Sequence, residues 1–189
     1  MKMTKKIALL AWGSLIKNPG CLSTLLFNWE NDGPKLPIEF ARKSNDGRLT
    51  LVIFDNYKTI PDRWIKTHWC FMYPSSIEYL ISFLAKREKC SLNMIMSFYP
   101  KNDFTSKDKI LKSINVWALE KEIDAVIWTN LPATFNNEDE ILSYVLSLKS
   151  YIYREASKYI FSTPIQTKTY LRNKIEEILL ANIPEKRLF

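Results

Sequence analysis

The chain has 189 residues, 47% of them hydrophobic and 13% aromatic, with few glycines; that composition is globular and excludes a disordered chain. The net charge of +7 is spread along the sequence, and no basic run is dense enough to argue for nucleic acid or an anionic membrane as partner. The three cysteines, Cys21, Cys70 and Cys90, lack any C-x-x-C spacing, and the only histidine is His68. Neither a zinc site nor a disulfide framework is therefore expected, and a reducing, cytoplasmic setting fits.

One domain spanning 1–189 is expected at this length. Met1 to Lys6 is basic and Ile7 to Trp12 apolar, which mimics a short signal peptide, but no small-residue cleavage pattern follows. The run reads instead as a first strand, Lys6 to Ala11, apolar enough to be buried on both faces. No run approaches the ~18 apolar residues of a membrane-spanning helix.

The first strand opens into Trp12-Gly13-Ser14-Leu15-Ile16. A glycine directly after a buried strand lets the backbone turn sharply or approach a ligand closely. The amides of Gly13, Ser14 and Leu15 can then point together at an anion or a polarised carbonyl, although most such dipeptides are plain turns. Pro37 to Phe54 reads as a hairpin around Ser44-Asn45-Asp46-Gly47. Ile38 and Phe40 alternate with Glu39 and Ala41; Leu49, Leu51 and Ile53 share a face of the return strand.

Trp69, Phe71 and Tyr73 alternate with Cys70 and Met72, the period of a strand, and Pro74 stops it. His68 is expected at the surface end of that strand. Without a G-x-S-x-G elbow it makes no case for a serine-type triad. Ser75 or Ser76 can cap a following helix whose Ile77, Leu80, Ile81 and Leu84 form one apolar face. Glu88 occupies the next place on that face. A carboxylate there, near a helix C-terminus, has its charge disfavoured by burial and by the helix dipole, the bias of a general base or acid. The alternative is that the helix frays first and Glu88 reaches water or a lysine.

Met94 to Phe98 reads as a strand, and Thr105 or Ser106 as the cap of a helix with Ile110, Ile114, Trp117 and Ala118 inward. Asp124 to Thr129 reads as a strand. Glu138 to Tyr159 reads as one helix with Ile141, Leu142, Val145, Leu148 and Ile152 as its stripe, ended at Thr163-Pro164. A last helix carries Leu171, Ile175, Ile178 and Leu179. Strands early and helices late give an α+β class, with a curved, mostly antiparallel sheet or small β-barrel flanked by helices.

This order of features resembles the γ-glutamylcyclotransferase-like family, and within it a bacterial subgroup of unassigned function. The family's Tyr-Gly-Ser-Asn-Leu loop is matched by Trp12 to Ile16. Its Phe-x-Arg-x-Ser hairpin pattern is matched by Phe40-Ala41-Arg42-Lys43-Ser44. Its Trp-Gly-x-x-Tyr strand and its Glu-Gly helix end are matched by Trp69 to Tyr73 and by Arg87-Glu88-Lys89. The likeness covers about the first half of the chain.

It implies that Glu88 is the catalytic base and then acid, and that Trp12, Gly13, Ser14 and Leu15 bind substrate. The substrate class is a small γ-glutamyl amide. Its α-amine attacks the γ-carbonyl, closes 5-oxoproline and expels an amine, as an acyltransferase or lyase. No metal or cofactor is called for. Arg42 and Ser44 either bind a carboxylate or lie on the surface. The chain departs from the pattern at Trp12, at Leu15 and at Lys89, where the family has tyrosine, asparagine and glycine. The alternatives are a non-catalytic small-molecule binding protein or a basic interaction protein on the same fold.

Overall fold

The computed structural model describes residues 5–182. In chain order its elements are β1 (Ile7–Ala11), α1 (Ser14–Lys17), β2 (Lys35–Leu36), β3 (Ile38–Lys43), β4 (Leu49–Ile53), β5 (Ile65–Lys66), β6 (His68–Phe71) and α2 (Ile77–Glu88). There follow β7 (Ile95–Phe98), α3 (Lys109–Glu120), β8 (Ala125–Thr129), α4 (Glu138–Ser147), α5 (Ser150–Ser162) and α6 (Arg172–Ala181).

Every residue of β1 is buried, and the strand lies inside a four-stranded sheet of order β6-β1-β8-β7. It pairs antiparallel with β6 and parallel with β8. Successive side chains leave a strand on opposite faces, so β1 serves two cores. Ala8 and Leu10 join the larger one, with the β3–β4 hairpin and apolar faces of α3, α4, α5 and α6. Ile7, Leu9 and Ala11 join the smaller one, with Leu80, Leu84 and Ala85 of α2. The neighbours split the same way: Trp69, Val126 and Trp128 go to the larger core, Cys70, Ala125 and Ile127 to the smaller.

The architecture is α+β with small, mostly antiparallel ladders, and no closed barrel forms among the described residues. The β3–β4 hairpin is a separate pair, and a bulge shifts its register between Glu39 and Arg42. Groups freed at a bulge need partners from elsewhere. The Ala41 carbonyl accepts from the amides of Thr134 and Phe135, and the Leu51 carbonyl from the Trp12 indole at 3.3 Å. Side chains and loops thus take bonds that a continuing sheet would have used.

Caps set the helix limits. The Ser76 hydroxyl accepts from the Tyr79 amide and starts α2. Asp108, rather than Thr105 or Ser106, starts α3: its carboxylate accepts from Ile110 and Leu111, while the Ser106 hydroxyl, two residues earlier, accepts from the Asp108 amide. The helix expected over Glu138 to Tyr159 is two helices. Leu148 turns extended and stays buried, which rotates the next helix. Ala156 and Ile160 then face inward, and Ile152 is left 38% exposed.

His68 departs from expectation. It begins β6 and is 6% exposed; burial lowers its pKa. Glu39 is wholly buried as well. Its carboxylate accepts from the Phe40 amide at 2.8 Å and the Leu171 amide at 2.9 Å, tying β3 to the start of α6. Burial nevertheless pushes its pKa up to about 7, outweighing those donors. The folded chain therefore holds this proton more tightly than the unfolded chain does. The resulting stability is complete below the ordinary carboxylate value of 4.5 and is lost as pH rises through about 7. Urea titrations of wild type and Glu39→Gln across that range should diverge by on the order of 3 kcal/mol. Parallel curves would show that Glu39 titrates as it does in the unfolded chain.

Candidate functional site

Where β1 runs out, the chain lines a cleft of about 790 Å3. The carboxyl end of β1, the β3–β4 hairpin, the end of α2 and one side chain of α5 form its walls. Trp12, Gly13, Ser14, Leu15 and Glu88 all border it, and so do Arg42 and Ser44. Residues read from three separated stretches thus share one cavity.

Their roles within it differ. Trp12 is buried, with its indole bound to the Leu51 carbonyl, so it is wall and floor. The Leu15 side chain packs in the smaller core. The Ser44 hydroxyl is used inside the hairpin turn, its one proton shared between the Asp46 carboxylate and the Arg48 carbonyl. Arg42 donates to the Pro132 carbonyl at 2.9 Å.

The helix does not fray before Glu88, which is the last residue of α2. Its side chain is only 17% exposed and accepts from Arg87 Nη1 at 2.6 Å. Arg87 is a clamp. Its Nη2 donates to the Asn18 carbonyl at 2.6 Å and to the Ser14 hydroxyl at 3.2 Å, binding the end of α2 to the loop after β1. Lys89 then adopts φ 53 and ψ 45, the left-handed conformation that glycine takes most easily.

Tyr159 is the site residue that sequence reasoning missed. It comes from α5, where an aromatic reads as core. A Cβ on Gly13 would stand 2.6 Å from its hydroxyl oxygen, so glycine is required there by close approach. That oxygen lies close against the Gly13-Ser14 turn and beside Leu51, all of which border the cleft. Burial raises the phenol to about 12, and the nearby charge of Glu88 adds to the effect. Tyr159 lines the cleft that Glu88 borders, and a phenol hydroxyl can donate as well as accept.

The charges leave a residue of positive sign. Arg48 is bound to Asp46 and Arg87 to Glu88. Arg42 and Lys89 line the same cleft without a carboxylate partner among the described residues. Cys90 lines the cleft with Glu88 and Arg42, and its thiol is raised chiefly by burial. All three cysteines are free. Among the described residues no cluster of three or more His, Cys, Asp or Glu side chains is set to hold a metal ion, and no helix is long and apolar enough to cross a membrane. No protein-family model matches the chain, and no curated protein sequence matches it.

Two substitutions test this geometry. Lys89→Gly should raise stability by up to about 1 kcal/mol in urea denaturation, by relieving the left-handed backbone. Arg87→Ala should lower it by about 2 kcal/mol, because the half-buried Glu88 and the Asn18 carbonyl lose their donor. A destabilised Lys89→Gly, or an Arg87→Ala as stable as wild type, would contradict the arrangement.

Proposed function

We propose that the chain is a γ-glutamylcyclotransferase-like enzyme that cyclises a small γ-glutamyl amide to 5-oxoproline and releases an amine. The observation that carries this reading is the convergence of Glu88, the Gly13-Ser14 turn and Arg42 on one cleft. The glycine-like backbone of Lys89, where the family has glycine, adds support. The family membership itself is part of the proposal.

The chemistry needs a base, an acid for the leaving amine and a donor for the oxyanion. In this reading Arg87 holds Glu88 Oε1 and leaves Oε2 to take a proton from the substrate's α-amine. The amine nitrogen attacks the γ-carbonyl carbon and closes the five-membered ring. Tyr159 donates to the oxygen of the tetrahedral intermediate. As the C–N bond of the amide breaks, Glu88 returns its proton to the departing nitrogen. Arg42 and Lys89, without carboxylate partners of their own, hold the substrate's carboxylate. Because attack is intramolecular, proximity supplies much of the rate.

A second reading, a binding protein without turnover, draws on Leu15 and Tyr159. The side chain of Leu15 is committed to the core, and the Tyr159 hydroxyl crowds the Gly13-Ser14 turn, the place a substrate carbonyl would need. Release of 5-oxoproline from a panel of γ-glutamyl amines separates the two. In the enzyme reading Glu88→Gln lowers kcat by about 10³-fold or more with binding retained, and Tyr159→Phe lowers it by about 10²-fold. Full activity in Glu88→Gln would sink the base assignment. Binding by calorimetry without release from any member would establish the second reading.

A further inference from the structure

A second concavity lies away from the cleft, between α3 and the β2–β5 pair. It is a shallow, open groove of about 630 Å3, lined among the described residues by Lys35, Lys66, Lys112 and Lys121 and by two carboxylates, Asp32 and Glu120. Lys121 is already neutralised: its ammonium meets Asp32 Oδ2 at 2.5 Å. Asp32 also accepts from the Trp69 indole, and these bonds, led by that of Lys121, hold its pKa below the ordinary value. Lys35, Lys66 and Lys112 are exposed, and none makes an ion pair among the described residues.

The register sharpens the point. Lys35 and Lys66 are direct cross-strand partners, and like charges placed opposite each other destabilise a strand pair. Nothing in the fold requires lysine at either place, since both side chains are exposed. Lys112 approaches the same space from the helix, and the Ser113 hydroxyl, donating to the Lys35 carbonyl at 2.7 Å, fixes α3 against β2.

We propose that this groove binds a compact oligophosphate, independently of any activity in the cleft. Three lysines without ion pairs along one groove match a ligand that concentrates several negative charges, and lysine binds phosphate as a point charge. A single-stranded nucleic acid fits less well. Its bases need an aromatic platform, and the one aromatic lining the groove, Trp117, is 6% exposed. The indole Nε1 of Trp117 is buried without an acceptor, which makes its resonance a local reporter.

The test is a titration of the full, 15N-labelled chain with tripolyphosphate, followed by NMR at low ionic strength and again at about 150 mM salt. The expected result is saturable shifts at 32–35, 66 and 112–121, the Trp117 indole among them, with affinity falling as salt rises. Lys66→Gln combined with Lys112→Gln should weaken binding about tenfold or more, through the loss of charge-assisted bonds. A nucleoside triphosphate in a parallel arm identifies the source. Tighter binding than tripolyphosphate marks a nucleotide, and equal binding marks the free phosphate chain. Absence of saturation, shifts centred on Arg42 and Lys89, or undiminished affinity in the double variant would overturn the proposal. So would saturable binding of single-stranded DNA alone. None of these outcomes bears on 5-oxoproline release.

Discussion

Strand β1 has no exposed side chain, and much of the molecule serves to keep it so. A strand buried on both faces needs an apolar layer on each side and a paired neighbour on each edge. The α2 helix supplies one layer; the hairpin and the later helices supply the other. β6 and β8 supply the edges. The same constraint decides where a cavity is affordable. Packing is unbroken along the strand, so the first place the chain can turn away and leave space is just past Ala11. The Trp12-to-Leu15 turn lies there, and the cleft opens on it.

The charged groups of the cleft show how a half-buried carboxylate is held. An ionised side chain removed from water needs a partner with good geometry. Glu88 has one next to it in sequence, and Arg87 spends its remaining donors on the turn after β1. Orientation of the carboxylate and attachment of α2 to that turn are therefore one interaction. The cost of left-handed backbone at Lys89 is carried by the bonds that end the helix, where its amide reaches the carbonyls of Ala85 and Lys86.

Much of this was legible in the sequence wherever one period ran without interruption. β1, the hairpin, β6, α2 with its Ser76 cap, the inward face of α3 and β8 all follow from apolar spacing. What failed was non-local. The parallel pairing of β1 with β8 joins segments far apart in sequence. Alternation along β3 implied that Glu39 lies on a polar face, whereas the helices added later cover both faces. His68 does lie at a strand end, but it was expected at the surface because nothing nearby in sequence signals the chain that covers it. The 138–159 stripe ran past Leu148 because the stripe itself gives no sign that burying one leucine needs extended backbone. Of the site, the turn and Glu88 were readable, because each breaks a local pattern. Tyr159 and Arg87 were not: an aromatic on a helix and an arginine near a helix end are ordinary until their partners are known.

The close approach of Gly13 to Tyr159 also bears on the order in which the molecule is made. The Thr167 hydroxyl donates to the Trp12 carbonyl across 155 residues of chain, and the Leu171 amide reaches Glu39 across 132. Contacts of such separation close slowly, and during synthesis they wait for the last part of the chain to emerge. A nascent chain that has already formed β1, the hairpin and α2 has the turn and Glu88 in hand but lacks one wall. Until α5 arrives, the incipient pocket lies open on the side that Tyr159 closes. The site is therefore completed only when the last third of the chain has docked.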